Sequence, residues 1–419
     1  MEMNEGVWSR MPSELIERVL SLLPVPVLCR FRSVCKTWRQ LFRTPSFLDL
    51  CDRNGTPKEY LFLARCLSDP DDGLVCSIDE AMTFLDIEAG RWYWIKSEHW
   101  RHYSFALPHE SSETRLLAMD ESLVCEFTAL PDDPNKGYAI FISDPIAKTA
   151  AVELPPVPSY RYSRETSGLP TSMTIDVDKV AYTFKVFLNC DLRWYVYESS
   201  IGVWRDLGTI PDFQHAEVKK SSTPTIFHGI LYTIAWLPSA SKFVVFSYNL
   251  QTDEWRALPG LRIPSHYYDP QLLVVGNRLF AVSCVSSNVP NSEFEVMEVL
   301  VGKNEARVVV HIPNARLLEY FDEGLPFCVF GFPVVDSQGV CKAIVLKSDL
   351  SGKLVMYEMA CGEVEVLPAH PMGPAPVPCC WKELGGLHYP ISWVPFTCYG
   401  VGYGNLSMRN YLSPPAPVT

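Results

Sequence analysis

FVVFSYNLQTDEWRALP, residues 243–259, decides how most of this chain folds. The Phe, Val and Tyr run reads as a strand, and Asn249 to Asp253 as a tight polar turn. Trp255 then opens a second strand, and Leu258-Pro259 ends it because Pro cannot donate to a ladder. The same order recurs in WYVYESSIGVWRDLGTIP (194–211). Weaker copies are AIFISDPIAKTAAVELPPVP (139–158), FEVMEVLVGKNEARVVVHIP (294–313), KLVMYEMACGEVEVLP (353–368) and MTFLDIEAGRWYWI (82–95). Aligned at Asp86, Asp144, Glu198, Asn249, Glu298 and Glu358, the copies are 58, 54, 51, 49 and 60 residues apart. A recurring period marks a repeat architecture, and units of this length hold four short antiparallel strands. HGILYTIAW (228–236) and GNRLFAVSC (276–284) supply the strands upstream of two copies. The expectation is a mainly β chain with a small α part. Its six repeats form a six-bladed β-propeller, with Trp204 and Trp255 packed between neighbouring sheets.

Composition sets the limits. The 419 residues, 47% hydrophobic, can hold one large domain and one small one. The formal charge of −12 argues against a general phosphate-backbone binder. Residues 1–50 run against it at +2 (seven basic, five acidic). Most of the fourteen cysteines, such as Cys29, Cys125, Cys190, Cys284 and Cys341, sit in apolar runs, which predicts free thiols in a reducing compartment, the nucleus or the cytoplasm. MEMNEGVWSR lacks the pattern of a secretory signal. Residues 221–241 lack Asp and Glu and are interrupted by Pro224, Gly229 and Pro238, so they read as buried β-structure and no membrane span is expected.

The N-terminal stretch has a different period. WSRMPSELIERVLSLLPVPVLCRFRSVCKTWRQLFRTPSFL (8–48) carries three short helical patterns. Leu15, Ile16, Val19, Leu20, Leu22 and Leu23 follow the 3.6 repeat, Glu14 and Glu17 suit the positive helix end, and Pro24 and Pro26 stop the helix. A second helix begins near Val27, burying Leu28, Phe31 and Val34, and a third runs through Cys35, Trp38, Leu41 and Phe42. So few residues bury little core alone, so part of this surface is expected to dock elsewhere.

This stretch resembles an F-box. The shared marks are Pro12 with Glu14-Leu15, the Val19-Leu20 pair, Leu23-Pro24 and Leu28. Arg32-x-Val34-Cys35-Lys36-x-Trp38 and Phe47 after Pro45 complete them; Met11 stands where the family usually has Leu. The resemblance implies docking to a Skp-type adaptor and, through it, a cullin-RING ubiquitin ligase. The implied contacts are Pro12, Leu15, Ile16, Leu20, Leu23, Pro24, Leu28 and Val34, with Trp38 inside the motif. The later repeats resemble degenerate kelch units. Single glycines such as Gly229 and Gly276 stand near the usual double glycine, and Gly385-Gly386 is the only pair. Together the chain is similar to plant F-box/kelch-repeat proteins. That implies an F-box at 7–50, a linker at 51–58 and a substrate-binding kelch-type propeller at 59–419.

No catalytic chemistry is expected. GxGxxG, GxxxxGK[ST], GxSxG, HExxH and CxxC are absent, and His99 with His102 has no third metal ligand nearby in sequence. A substrate-recognition subunit needs neither catalytic residue nor cofactor, and its partners are the adaptor and an unknown protein substrate. Direct nucleic-acid binding is not expected. Two other readings stay open: a non-degradative propeller scaffold or transcriptional co-regulator, and a propeller oxidase. Aromatic and Arg-containing stretches suit cargo hot spots. They comprise Trp92, Trp94, Trp100 and Tyr103, then Tyr160, Arg161 and Tyr162, then His266, Tyr267 and Tyr268, with HYPISWVPFTCYGVGYGN (388–405) a fourth.

Overall fold

A computed structural model describes parts of residues 11–51 and 60–96, then 113–160, 170–210, 224–263, 270–321, 328–369 and 395–398, with short interruptions. Helix α1 (Ser13–Ser21) starts where Pro12, in the N-cap position with an extended ψ of 145°, offers its carbonyl to the Leu15 and Ile16 amides at 3.1 Å. Pro fits this place because the first helical amides have no partner within the helix. The helix closes with the Leu23 amide on the Leu20 carbonyl at 3.0 Å and the Ser21 hydroxyl on the Arg18 carbonyl at 2.8 Å. Helix α2 (Lys36–Leu41) follows, and its Trp38 amide donates to Cys35 Sγ at 3.4 Å. Residues 46, 47, 50 and 51 are also helical, so helix extends into the expected linker.

Strands dominate the rest. Among the described residues there are six antiparallel sheets of four or five strands and one two-stranded hairpin, Cys66–Ser68 with Cys76–Ile78. The first sheet joins Tyr60–Leu63, Ala81–Asp86 and Arg91–Lys96 to Pro395–Cys398, which pairs with Tyr60–Leu63. The second spans 113–153, the third 170–209, the fourth 225–263 and the fifth 271–312. The sixth takes the strands from 328 to 366 and adds Val285–Ser286 at its edge.

From the second sheet to the sixth, each sheet packs on the next through an apolar layer, and the sixth packs on the first, as alternating side chains require. Phe127, Tyr138 and Ile142 of the second meet Val186, Leu188 and Tyr197 of the third. Trp194 and Val196 meet Leu231 and Phe246 of the fourth, whose Tyr232 and Val245 meet Leu279 and Val299 of the fifth. Phe280 and Val296 meet Ile344 and Val355 of the sixth, and Val345 and Leu367 meet Leu85 of the first. Helix α3 (Asn314–Phe321), which the sequence reading did not foresee, plugs the fifth–sixth layer with Leu317 and Phe321.

The repeat is most regular in its outer hairpin. The Gly202, Asp253 and Gly362 amides return to the Glu198, Asn249 and Glu358 carbonyls at 2.8, 2.9 and 2.8 Å. The fifth residue of these turns is left-handed, φ +71° at Gly202, +56° at Asp253 and +70° at Gly362, and Gly90 and Asn304 match at +59° and +54°. Gly, Asn and Asp tolerate this region and β-branched residues do not, which explains the composition of the turns. The structural equivalents are therefore Asp86, Glu198, Asn249, Leu300 and Glu358. The fifth copy aligns at Leu300 rather than at Glu298, which faces Arg307 inside the hairpin. Gly229 lies with His228 in the two-residue turn before the second strand of its sheet, both at positive φ, rather than after that strand. Gly276, Gly385 and Gly386 lie outside the described residues.

Candidate functional site

The apolar face of α1 divides into two stripes, each with the i, i+4, i+7 spacing of one helix side. Ile16, Leu20 and Leu23 turn inward: Leu20 is fully enclosed and the other two are half-buried. Leu15, Val19 and Leu22 turn outward, at 50%, 40% and 59% exposure. Val34, expected to be buried, stands open at 51%. Leu28, Phe47 and Cys51 are enclosed, and Trp38, half-buried, meets Phe31 edge-on at 5.4 Å.

Of the contacts implied at sequence level, Pro12, Leu15 and Val34 lie on the surface, while Leu20 and Leu28 serve the interior. Pro24 is outside the described residues. Val19 and Leu22 were not among those contacts, although their spacing from Leu15 marks them.

Two of the aromatic candidates, Trp92 and Tyr160, have described side chains. Trp92 lies in the strand Arg91–Lys96 rather than a loop, and its Nε1 donates to the Pro368 carbonyl of the sixth sheet's last segment at 2.9 Å. Trp204 Nε1 donates to the Pro155 carbonyl at 2.7 Å, and Trp255 Nε1 to the Leu207 carbonyl at 2.9 Å. Each indole thus binds the backbone of the preceding repeat, and the Leu-Pro segments provide two of the three acceptors. Tyr160 is buried against the Tyr138 ring at 5.0 Å. Tyr160 is therefore a packing residue rather than an open contact, while Trp92 is half-buried and commits its indole N–H to the sixth sheet. The Trp94 side chain and Trp100, Tyr103, Arg161, Tyr162, His266, Tyr267 and Tyr268 lie outside the described residues, as does most of 388–405.

Among the described residues, charged side chains pair both within and between the sheets. Arg205 of the third sheet pairs with Asp253 in the fourth-sheet turn, and the Tyr248 hydroxyl donates to Asp253 Oδ1 at 2.9 Å. The Tyr248 and Arg205 hydrogen bonds hold the Asp253 carboxyl below its ordinary value, while burial and Asp253 push Tyr248 up to about 12. Glu298, nearly buried, accepts from Arg278 Nε at 2.7 Å and Arg307 at 2.6 Å, which lowers its pKa. Burial, opposed by the Val157 amide on its hydroxyl at 2.7 Å, pushes Tyr138 up to about 12.

Among the described residues two groups could gather round a cation: Glu293, Glu295 and His311, and Glu358, Cys361 and Glu363. Both lie toward the surface, and ion pairing or hydrogen bonding accounts for them, with His311 Nδ1 3.1 Å from Glu295 and Cys361 Sγ 3.2 Å from Glu358. Cys35, Cys125 and Cys361 are free thiols. No described helix is long and apolar enough to cross a membrane.

Comparison with known proteins bears on the first of these surfaces. The F-box domain model matches residues 8–50. The chain is similar to F-box only protein 6 of Arabidopsis thaliana, 24% identical over 375 residues, covering 87% of this chain and 70% of that protein. It is also similar to an Arabidopsis thaliana F-box/kelch-repeat protein, 25% identical over 211 residues, covering 48% of this chain and 46% of that protein. Among solved structures, a chain of the nidogen/laminin complex has a TM-score of 0.42 at 12% identity, covering 77% of this chain and all of that one.

Proposed function

Because the chain is an F-box protein with plant relatives, we propose that it is the substrate-recognition subunit of a Skp-cullin-F-box ubiquitin ligase. F-box proteins generally act as non-catalytic substrate adaptors of such ligases. The observation that carries the reading is the F-box match over 8–50 together with the open apolar stripe of Leu15, Val19 and Leu22. Leucines at that exposure leave apolar area that a Skp-type adaptor would remove from water, at about 25 cal/mol per Å². Pro12, Leu15, Val19, Leu22 and Val34 are the proposed contacts. Ile16, Leu20, Leu23 and Leu28 hold the helices behind them.

The six sheets are proposed to be the blades of a kelch-type propeller over 59–419. Supporting this are the serial packing of the sheets, the sixth packed on the first, and the strand 395–398 shared with the first. In four-stranded antiparallel meanders, the connections from one sheet to the next fall at the same end of every sheet. The segments holding Trp100 and Tyr103, Arg161 and Tyr162, and His266, Tyr267 and Tyr268 are such connections by chain order, so that end is the proposed cargo face. The acidic charge outside residues 1–50 favours cargo with a basic surface. The chain would act by holding a target lysine near the ubiquitin-charged enzyme, raising its effective concentration. Its proposed location is the nucleus or the cytoplasm.

The test is co-purification of the full chain with a Skp-type adaptor, read by size-exclusion chromatography with light scattering. A 1:1 complex is expected. Two folded proteins that elute separately would end the ligase reading and reduce residues 8–50 to a structural cap.

A further inference from the structure

Ser172, Asn189, Trp194 and Gly208 stand opposite one another on the four successive strands of the third sheet. Asn189 is 3% exposed, Trp194 0% and Ser172 9%. Trp194 faces the fourth sheet, packed with Leu231 and Phe246, its ring 5.8 Å from that of Trp255. In this apolar setting the indole Nε1–H of Trp194 and the carboxamide Oδ1 of Asn189 have no hydrogen-bond partner among the described residues. Buried polar atoms in folded proteins are almost always paired, so two orphans on facing residues need a physical account.

The neighbouring indoles show what this protein does with a buried Trp N–H. Trp92, Trp204 and Trp255 each donate to a backbone carbonyl of another sheet. For Trp194 the nearby Leu207 carbonyl is already taken by Trp255. One donor and one acceptor on adjacent strands complement a molecule that both accepts and donates. Near-complete enclosure restricts that molecule to a very small one.

We propose that the Asn189–Trp194 niche binds one ordered water, which accepts from the indole N–H and donates to the Asn189 carboxamide. The Ser172 hydroxyl, next along the row, is the third polar group that a buried water commonly uses. The water is then a structural ligand that ties the inner strands of the third sheet together beneath the fourth, wherever the protein acts in the cell.

A crystal structure of the full chain tests this directly. A single density peak at about 2.7–3.2 Å from both atoms is expected. No peak there, or an indole N–H bonded to a protein atom, would overturn it. Urea unfolding of Asn189→Leu, Trp194→Phe and the double variant gives the second readout. Each single change is expected to lower the folding constant about tenfold, and the double by clearly less than the product, because both remove partners of one water. Strictly additive effects would also overturn it. The crystallographic readout on the unaltered chain does not depend on any variant folding.

Discussion

Trp92 Nε1 lies 2.9 Å from the carbonyl oxygen of Pro368, a hydrogen bond between residues 276 positions apart. It makes the same stitch that Trp204 makes to Pro155 and Trp255 to Leu207, but between the first repeat and the last. The strand 395–398 pairs with 60–63 in the same sheet, so both ends of the β-rich part meet there. Trp92→Phe keeps the ring and deletes the donor, so stability to urea should fall by about 1 kcal/mol. Trp92→Ala also forfeits packing against the sixth sheet and should cost about 3 kcal/mol. An unchanged midpoint for Trp92→Ala would mean that this junction contributes nothing to the fold.

The left-handed turn positions make a graded test. A Cβ at Gly202 would meet nothing within 4 Å, so only backbone strain opposes substitution. Gly202→Val should destabilise by about 1–2 kcal/mol. Asn304→Gly, at the equivalent place, should change stability by less than about 0.5 kcal/mol. Equal losses at both sites, measured by thermal unfolding, would contradict the shared turn geometry.

Glu298 predicts part of the acid response. Arg278 first, then Arg307, holds its carboxyl below the ordinary value of 4.5. A depressed folded-state value stabilises the protein above 4.5, and that contribution drains away as pH falls through the folded value. Glu298→Gln should be about 2 kcal/mol less stable at pH 7, with a shallower loss below pH 4.5. Urea midpoints from pH 7 to pH 3 would show the two curves converging. Parallel curves would exclude the role.

Tyr248 acts at the other end of the pH scale. Burial and the Asp253 carboxylate raise it from 10 to about 12. The raised value favours the neutral phenol, so its stabilisation is complete below pH 10 and is lost as pH rises through about 12. Difference absorbance should show one tyrosine of this kind moving down in Asp253→Asn. Failure of any tyrosine to shift in that variant would refute the pairing.

On the helical unit, the two stripes of α1 should separate docking from folding. Leu15→Asp with Leu22→Asp charges the open stripe and should weaken adaptor binding by about 100-fold or more without lowering the thermal midpoint. Leu20→Asp places a charge in an enclosed position and should unfold the helices instead. Undiminished affinity in the folded double variant would move the docking surface elsewhere.

By itself the sequence determined the local structure. A period of 3.6 over 15–23 placed α1, and strand-turn-Trp-Leu-Pro order placed the repeating hairpins, because these signals are carried by neighbours in the chain. Even so, α3 went unread, since the Leu317 and Phe321 pair is too short a period to register without the layer it fills. What only the tertiary structure decided is which partner each side chain meets. Leu15 and Leu20 are equivalent in composition and opposite in exposure because the helix turns one side of itself toward the chain and the other away. Trp92 read as a cargo aromatic because its acceptor lies 276 residues distant, and only folding brings Pro368 to it. Asn189 and Trp194, unremarkable in two strands of mixed residues, became a matched pair of buried orphans once the register set them opposite each other and the fourth sheet closed over them.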